Sequence, residues 1–241
     1  MELNKIYLGD CIELMPLIDD KSIDMILCDL PYGTTVCKWD MIIPFEPLWF
    51  QYKRIIKDNG AIVLTASQPF TTDLINSNRK WFKYCWVWNK VIQGNFLLAK
   101  YQPLKIHEDI IVFSKNRHKY IPQMITGRLR QKGAGKSKLY NIKMTKILND
   151  IYYPKSIIEF SNSKRGVHPT QKPVVLFEYL IKTYTNEGDL VLDNCIGSGT
   201  TAVACLNTKR NFIGMDTEQK YVDISNERIQ DFNKQEVLIN V

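Results

Sequence analysis

The chain has 241 residues, 45% of them apolar, enough for a full core in one domain with an insertion or in two small domains. A net charge of +7 with a pI near 9.0 permits a polyanionic partner. No run of about 18 apolar residues occurs, and the opening MELNKIYLGD lacks the apolar stretch of a signal peptide, so neither a membrane span nor a secreted product is expected.

In chain order, NKIYLGD reads as a short strand and CIELMPLIDD as a short amphipathic helix. SIDMILCDL follows as a strand of nearly continuous apolar character, as expected where both faces are covered. Residues 45–58 carry helical spacing, with Asn59-Gly60 as a C-terminal stop. AIVLTAS (61–67) is a buried strand, PFTTDLINSN a helix, and FKYCWVWNK and EDIIVFSK two further strands with a loop holding Gly94 between them. From Pro173, PVVLFEYLIKTYT is an amphipathic helix. DLVLDN is a strand, CIGSGTTAVACLNTK a glycine turn opening a helix, NFIGMD a strand, and TEQKYVDISNERIQDF the last helix. Strands alternating with helices and buried on both faces predict a doubly wound, mostly parallel α/β sheet.

Between Ile110 and Asn149 the chain has no Asp or Glu and ten Lys or Arg, among them Arg128, Arg130, Lys132, Lys136 and Lys138. Such a run is either a solvated loop or a surface that neutralises phosphates, and its freedom from acids favours the second. The embedded KGAGKSK is not a P-loop, because Arg130 stands where the first glycine is required. Its glycines predict a flexible basic loop. The six cysteines, at 11, 28, 37, 85, 195 and 205, form no C-x-x-C pair, and the three histidines lie far apart. No disulfide framework and no metal site is expected, and a reducing cytoplasm fits.

Two stretches carry chemistry. ILCDLPYG ends an apolar strand on Asp29 and then places Pro31 and an exposed aromatic, Tyr32, beside that carboxylate. VLDNCIGSGTTAVA ends a strand on Asp193 and opens a helix through Gly197 and Gly199, where backbone N–H groups lie open to a ligand. The next strand ends on Asp216, where an acid accepts hydrogen bonds from a ribose. Taken alone, this second stretch suits any nucleoside cofactor, a dinucleotide included, and equally a tight strand-to-helix turn.

Read together, the two resemble a known family, the S-adenosylmethionine-dependent DNA amino-methyltransferases. Asp29-Leu30-Pro31-Tyr32 resembles the family's Asp/Asn/Ser-Pro-Pro-Tyr/Phe, and DNCIGSGTT resembles its DPFAGSGTT. A third signature, HPTQKP, stands unchanged at His168–Pro173. The catalytic motif comes first and the cofactor motif last, as in the circularly permuted β group. The resemblance covers almost the whole chain.

It implies a Rossmann-like class I methyltransferase fold. Residues 1–114 would be the catalytic part, 115–165 a target-recognition insertion and 166–241 the cofactor-binding part. Asp29 and the Leu30 carbonyl would accept hydrogen bonds from the amine of a flipped base, Tyr32 would stack on it, and Pro31 would hold the turn. Asp216 would hold the cofactor ribose and Asp10 would lie near its adenine, a place that also suits a helix N-cap. Asp193, Gly197, Gly199 and Thr200 would surround its methionine part, with Thr170 and Lys172 on the carboxylate and His168 structural. Arg128 and Arg130 would read guanine, and Lys132, Lys136 and Lys138 would grip phosphates.

Two departures stand out. Leu30 replaces the usual first proline but keeps its carbonyl, and Cys195 replaces a phenylalanine, removing an aromatic near the cofactor. Asp29 favours adenine N6 as the target over cytosine N4. Glutamine methylation uses an Asn-Pro-Pro-Tyr form that this chain lacks, and a silent DNA-binding module has no need of all three motifs together. The implied substrate is double-stranded DNA, and a homodimer is left open.

Overall fold

The computed structural model describes residues 1–33, 40–132, 135–137, 142–144, 147–161 and 171–239. The elements are, in order, β1 (Lys5–Leu8), α1 (Cys11–Leu14), β2 (Ile23–Cys28), α2 (Phe45–Ile55), β3 (Ile56–Ala66), α3 (Phe70–Ser77), β4 (Phe82–Gly94) and β5 (Lys105–Phe113). They continue with β6 (Ile125–Lys132), β7 (Gly135–Ser137), β8 (Ile142–Met144), β9 (Ile147–Tyr152), β10 (Ile157–Glu159), α4 (Val174–Tyr184), β11 (Leu190–Asp193), α5 (Thr200–Asn207), β12 (Asn211–Asp216) and α6 (Gln219–Ile239). The chain divides into two compact units, one of residues 1–121 with 156–241, the other Pro122–Lys155.

The first unit is built on an eight-stranded sheet in the order β1-β12-β11-β2-β3-β5-β4-β10. The five strands from β1 to β3 are parallel, β5 runs antiparallel to both of its neighbours, and β10 is parallel to β4. Alternate residues feed two cores. On one face Ile26, Cys28, Ile62, Leu64, Ile111 and Phe113 meet Leu48, Trp49 and Tyr52 of α2 and Phe70 of α3. On the other, Met25, Leu27, Val63 and Val112 meet Leu176, Phe177 and Leu180 of α4 and Ala202 of α5. Burial on both faces is why these strands read as unbroken apolar runs.

The helix expected over 45–58 ends at Ile55, and Ile56 already belongs to β3. Gly60 is a strand residue and not a helix stop. A Cβ there would come within 2.8 Å of the Asp24 carbonyl and 2.7 Å of the Ile56 side chain, so the close approach of β2 and β3 requires its absence. Gly94 likewise ends β4 instead of lying in a loop.

In the second unit β6 pairs antiparallel with β9, and β7 with β8. Tyr152 Oη donates to the Arg128 carbonyl at 2.6 Å, and the Arg130 guanidinium lies 5.3 Å from the Tyr152 ring centroid. The unit is shorter than the insertion expected over 115–165. Lys115 and Lys119 belong to the first unit, paired with Asp58 at 3.1 Å and with Asp189 at 2.6 Å. Among the described residues, no helix is long and apolar enough to cross a membrane.

Candidate active site

Four neighbouring parallel strands, β1, β12, β11 and β2, end at one edge of the sheet, and each leads into an acid: Asp10, Asp216, Asp193 and Asp29. Ligands of open α/β sheets bind at this edge. The four acids line one cavity of about 650 Å³ together with Leu30, Pro31, Tyr32, Lys172, Gly197 and Thr200. That size lies in the usual range of small-molecule sites. The structure therefore brings the two stretches singled out in the sequence together across adjacent strands. Gly199 lies beneath the turn, outside the lining. His168 and Thr170 fall outside the described residues, as do Cys37 and Lys138.

Asp29 is held on both oxygens. Oδ1 accepts from the Thr65 hydroxyl, and the Tyr32 hydroxyl lies 2.8 Å from Oδ1 and 3.0 Å from Thr65 Oγ1. The Tyr32 proton belongs on the carboxylate, the nearer and charged acceptor. Oδ2 takes the Lys172 ammonium at 2.8 Å. A carboxylate offers about four acceptor sites, so among the described residues one remains, on Oδ2, and the side chain is still 28% exposed. Burial first, then the charges of Asp29 and Glu108, push the Tyr32 phenol well above its ordinary range. It is a donor here and not a base. The sequence suggested an exposed ring; Tyr32 is half-buried, stacked on Phe70 with centroids 5.2 Å apart and planes 24° apart.

The backbone after Asp29 is fixed by a residue the sequence reading passed over. Asp40 Oδ1 accepts from the amides of Tyr32 and Gly33, at 2.8 and 2.9 Å. Leu30 turns its side chain into the core, which explains why leucine is accepted there.

The Lys172 side chain is 9% exposed and lies 3.2 Å from Glu108 Oε2, while Lys90 holds Glu108 Oε1 at 3.0 Å. Burial alone would push the Lys172 ammonium down, but Asp29 and Glu108 more than offset it and hold it above its ordinary value. Burial would likewise raise Glu108, and Lys172 and Lys90 bring it below the usual carboxylate range. Glu108 and Lys90 escaped the sequence reading. The signal available was the acid pair of HEDIIVF, opening an otherwise apolar strand.

At the glycine turn, Gly197 (φ 53°) and Gly199 (φ 79°) adopt left-handed backbone that glycine alone takes readily. The Gly197 amide donates to Asp216 Oδ2 at 2.9 Å, and the Glu218 amide to Oδ1 at 2.9 Å. Asp10 accepts from the Ile12 amide at 2.8 Å as the N-cap of α1. Asp193 is buried and accepts from the Thr201 hydroxyl and, at 3.0 Å, from the Cys195 amide. Its burial pushes the carboxyl up to about 7. Asn194 donates to Cys195 Sγ at 3.6 Å and accepts from Tyr52 Oη at 2.5 Å. The Cys195 thiol thus stands in a polar cluster where the resemblance led one to look for a phenyl ring.

A mostly parallel sheet whose edge joins a carboxylate on a proline turn to a glycine-rich turn is the arrangement of the Rossmann-like class I methyltransferase fold. The DNA methylase family model of the N6/N4 type matches residues 23–227, and the chain belongs to that family. It is similar to the type II methyltransferase M.HpaI of Haemophilus parainfluenzae, 27% identical over 95% of this chain and 75% of that protein. It is also similar to M2.DpnII of Streptococcus pneumoniae, 29% identical over 96% and 92%. Among solved structures, the M1.HpyAVI–SAM complex is 26% identical with a TM-score of 0.63, covering 93% of this chain and 98% of that one. The cytosine-N4-specific PvuII methyltransferase shares the fold at 18% identity and a TM-score of 0.65, covering 95% and 91%.

Proposed function

We propose that the protein methylates the N6 amine of an adenine turned out of double-stranded DNA, with S-adenosylmethionine as donor. The observation that carries this reading is the acceptor left on Asp29 Oδ2, in the same cavity as the Gly197–Thr200 turn. Adenine is favoured because an aspartate opens the tetrapeptide; in the family, serine there tends to accompany cytosine.

The residues fit the donor. The two positive-φ glycines let the backbone approach it closely, and Asp216, fastened by two amides, is an acceptor at the place a ribose requires. Asp10, Asp193, Gly197 and Thr200 line the same cavity and would complete the cradle, with Gly199 shaping the turn; the resemblance adds Thr170, which lies outside the described residues. S-adenosylmethionine supplies an electrophilic methyl group. The chain supplies the rest. An exocyclic amine shares its lone pair with the ring and gains positive charge as it attacks. Asp29 Oδ2 and the Leu30 carbonyl accept its two N–H bonds, and that acceptance strengthens as the charge develops. Tyr32, backed by Phe70, gives the base a stacking face. A target inside a duplex has to be flipped to reach this site. The Pro122–Lys155 unit is then the target-recognition region, with Arg128 and Arg130 toward base edges and Lys132, Lys136 and Lys138 toward phosphates. The motif order supports membership of the permuted β group, and the reading is of an enzyme acting in the cytoplasm, alone or as a homodimer.

The experiment is to incubate the protein with methyl-labelled S-adenosylmethionine and PCR-amplified genomic DNA, digest to nucleosides and separate them. Label in N6-methyldeoxyadenosine is expected. Label in N4-methyldeoxycytidine would overturn the choice of base, and unlabelled DNA would leave a binding module.

A further inference from the structure

Lys172 stands in the HPTQKP segment, where the resemblance assigned it to the donor's carboxylate. The geometry points elsewhere. Its ammonium is buried against Asp29 Oδ2 at 2.8 Å and Glu108 Oε2 at 3.2 Å, and lies 5.7 Å from the Tyr32 ring centroid. Glu108 is fixed in turn by Lys90 at 3.0 Å. These side chains come from three separate places: the entry to α4, the middle of β5 and the end of β4.

We propose that Lys172 is a positioning residue for Asp29: backed by Glu108 and Lys90, it sets the plane of the catalytic carboxylate and aims the remaining acceptor site of Oδ2 at the target amine.

Thr65 and Tyr32 fix only the Oδ1 side of the carboxylate, and rotation about Cβ–Cγ is stopped by a second anchor on Oδ2. The ammonium is ion-paired with both Asp29 and Glu108, so the charge of Lys172 is matched inside the protein before any donor arrives. Lys172 also separates two acids. Without it Asp29 and Glu108 would face each other in a cavity that also contains Asp193 and the Tyr32 phenol, with Lys90 the remaining cation among the described lining residues. Facing carboxylates hold a shared proton.

The inference rests on Asp29 being the residue that meets the amine, so Asp29→Ala is measured beside it. The variants are Lys172→Met, Lys172→Arg and Lys172→Met with Glu108→Gln. For each, single-turnover transfer to PCR-amplified genomic DNA is followed from pH 5 to 9, and S-adenosylmethionine affinity is measured by calorimetry. Lys172→Met is expected to slow transfer at least 100-fold, to move the acid limb of the rate–pH profile up by a unit or more, and to leave donor affinity within threefold. Adding Glu108→Gln should return the limb to its wild-type place while the rate stays low. Lys172→Arg keeps the charge and should recover at least a tenth of the rate; it stands in if the methionine variant does not fold. Donor affinity falling tenfold or more, with unchanged transfer at saturating donor, would overturn the inference and restore the carboxylate role. A slowed rate with an unmoved acid limb would overturn it too. An active Asp29→Ala would instead sink the catalytic reading beneath it.

Discussion

Asp29 follows a strand with five of six side chains buried, and apart from Tyr32 the side chains that hold it come from distant parts of the chain: Thr65, Lys172 and, through Lys172, Glu108. The acid and its ring were legible in the sequence because strand, acid, proline and aromatic are contiguous. Its anchors were not, because a threonine inside AIVLTAS and a glutamate opening HEDIIVF look like ordinary strand residues until the strands are placed side by side. Asp193 presents the converse case, a residue visible in sequence whose energetics only burial reveals. Its carboxyl is pushed up to about 7 from an ordinary value near 3.8. The unfolded chain therefore ionises this group at lower pH than the folded one does. Stability is untouched below the unfolded value and declines as pH rises toward the folded one. A shift of that order costs a few kcal/mol at pH 8. Asn at 193 keeps an acceptor for the Cys195 amide and offers a donor to Thr201. Asp193→Asn should thus be the more stable protein at pH 8 in urea unfolding without donor, and the advantage should vanish near pH 4. A difference between the two that stays constant with pH would show that the buried carboxyl is not the cause.

At the scale of elements, the strand and helix types of the main sheet followed from apolar spacing, but β10, the place and direction of β5, and the strands β6 to β9 did not: where a flexible basic loop was expected, Gly135 opens the strand β7. A strand buried on both faces has no polar side to mark its neighbours, and direction depends on pairings made across the whole sheet. The direction matters, because an antiparallel β5 brings Glu108 and Asp109, near its middle, to the edge where the parallel strands end. Thr71 of α3 fastens that end by donating to Asp109 at 2.8 Å. The glycine turn before α5 was legible, and its two positive φ values agree with the reason glycine was noticed. Packing adds what sequence lacks. A Cβ on Gly199 would come within 2.9 Å of Ser225 Oγ and 3.2 Å of Ser225 Cα, whereas a Cβ on Gly188 (φ 82°) would meet nothing within 4 Å. Gly188→Ala carries backbone strain alone, roughly 1–2 kcal/mol. Gly199→Ala carries that strain and a displacement of α6, so it should lower the urea midpoint further and weaken donor binding, which Gly188→Ala should leave alone. Equal midpoints would mean that α6 gives way freely at Ser225.

Over the whole molecule, charge is divided unevenly. The Pro122–Lys155 unit holds eight Lys or Arg and one Asp, a net +7, which equals the net charge of the entire chain. The larger unit is therefore neutral overall. The sequence marked this region by its lack of acids; Lys115 and Lys119, at its start, lie in the larger unit, where they pair with Asp58 and Asp189, which are far from them in the chain. A unit of this size with one acid repels itself, and a phosphate backbone relieves that repulsion as it releases counterions. Lys132 closes β6 and Lys136 sits in β7, while Lys138 lies outside the described residues. Changing all three to Gln should flatten the log–log salt dependence of DNA binding by up to about 3 units, at a theoretical 0.9 per phosphate contact. Cognate and non-cognate DNA should weaken alike, because phosphate contacts carry no base identity. Arg128 and Arg130 belong to a different test. Their strand is paired to β9 and Arg130 rests on Tyr152; on the proposed reading, such a guanidinium would make bidentate contact with guanine. Their replacement by Lys keeps the charge, so the slope should stand while sequence preference relaxes. Binding is measured across a salt series on cognate and random duplexes for all three proteins. Identical slopes for wild type and the triple Gln variant would make the unit a solvated surface, with its charge serving solubility instead of DNA.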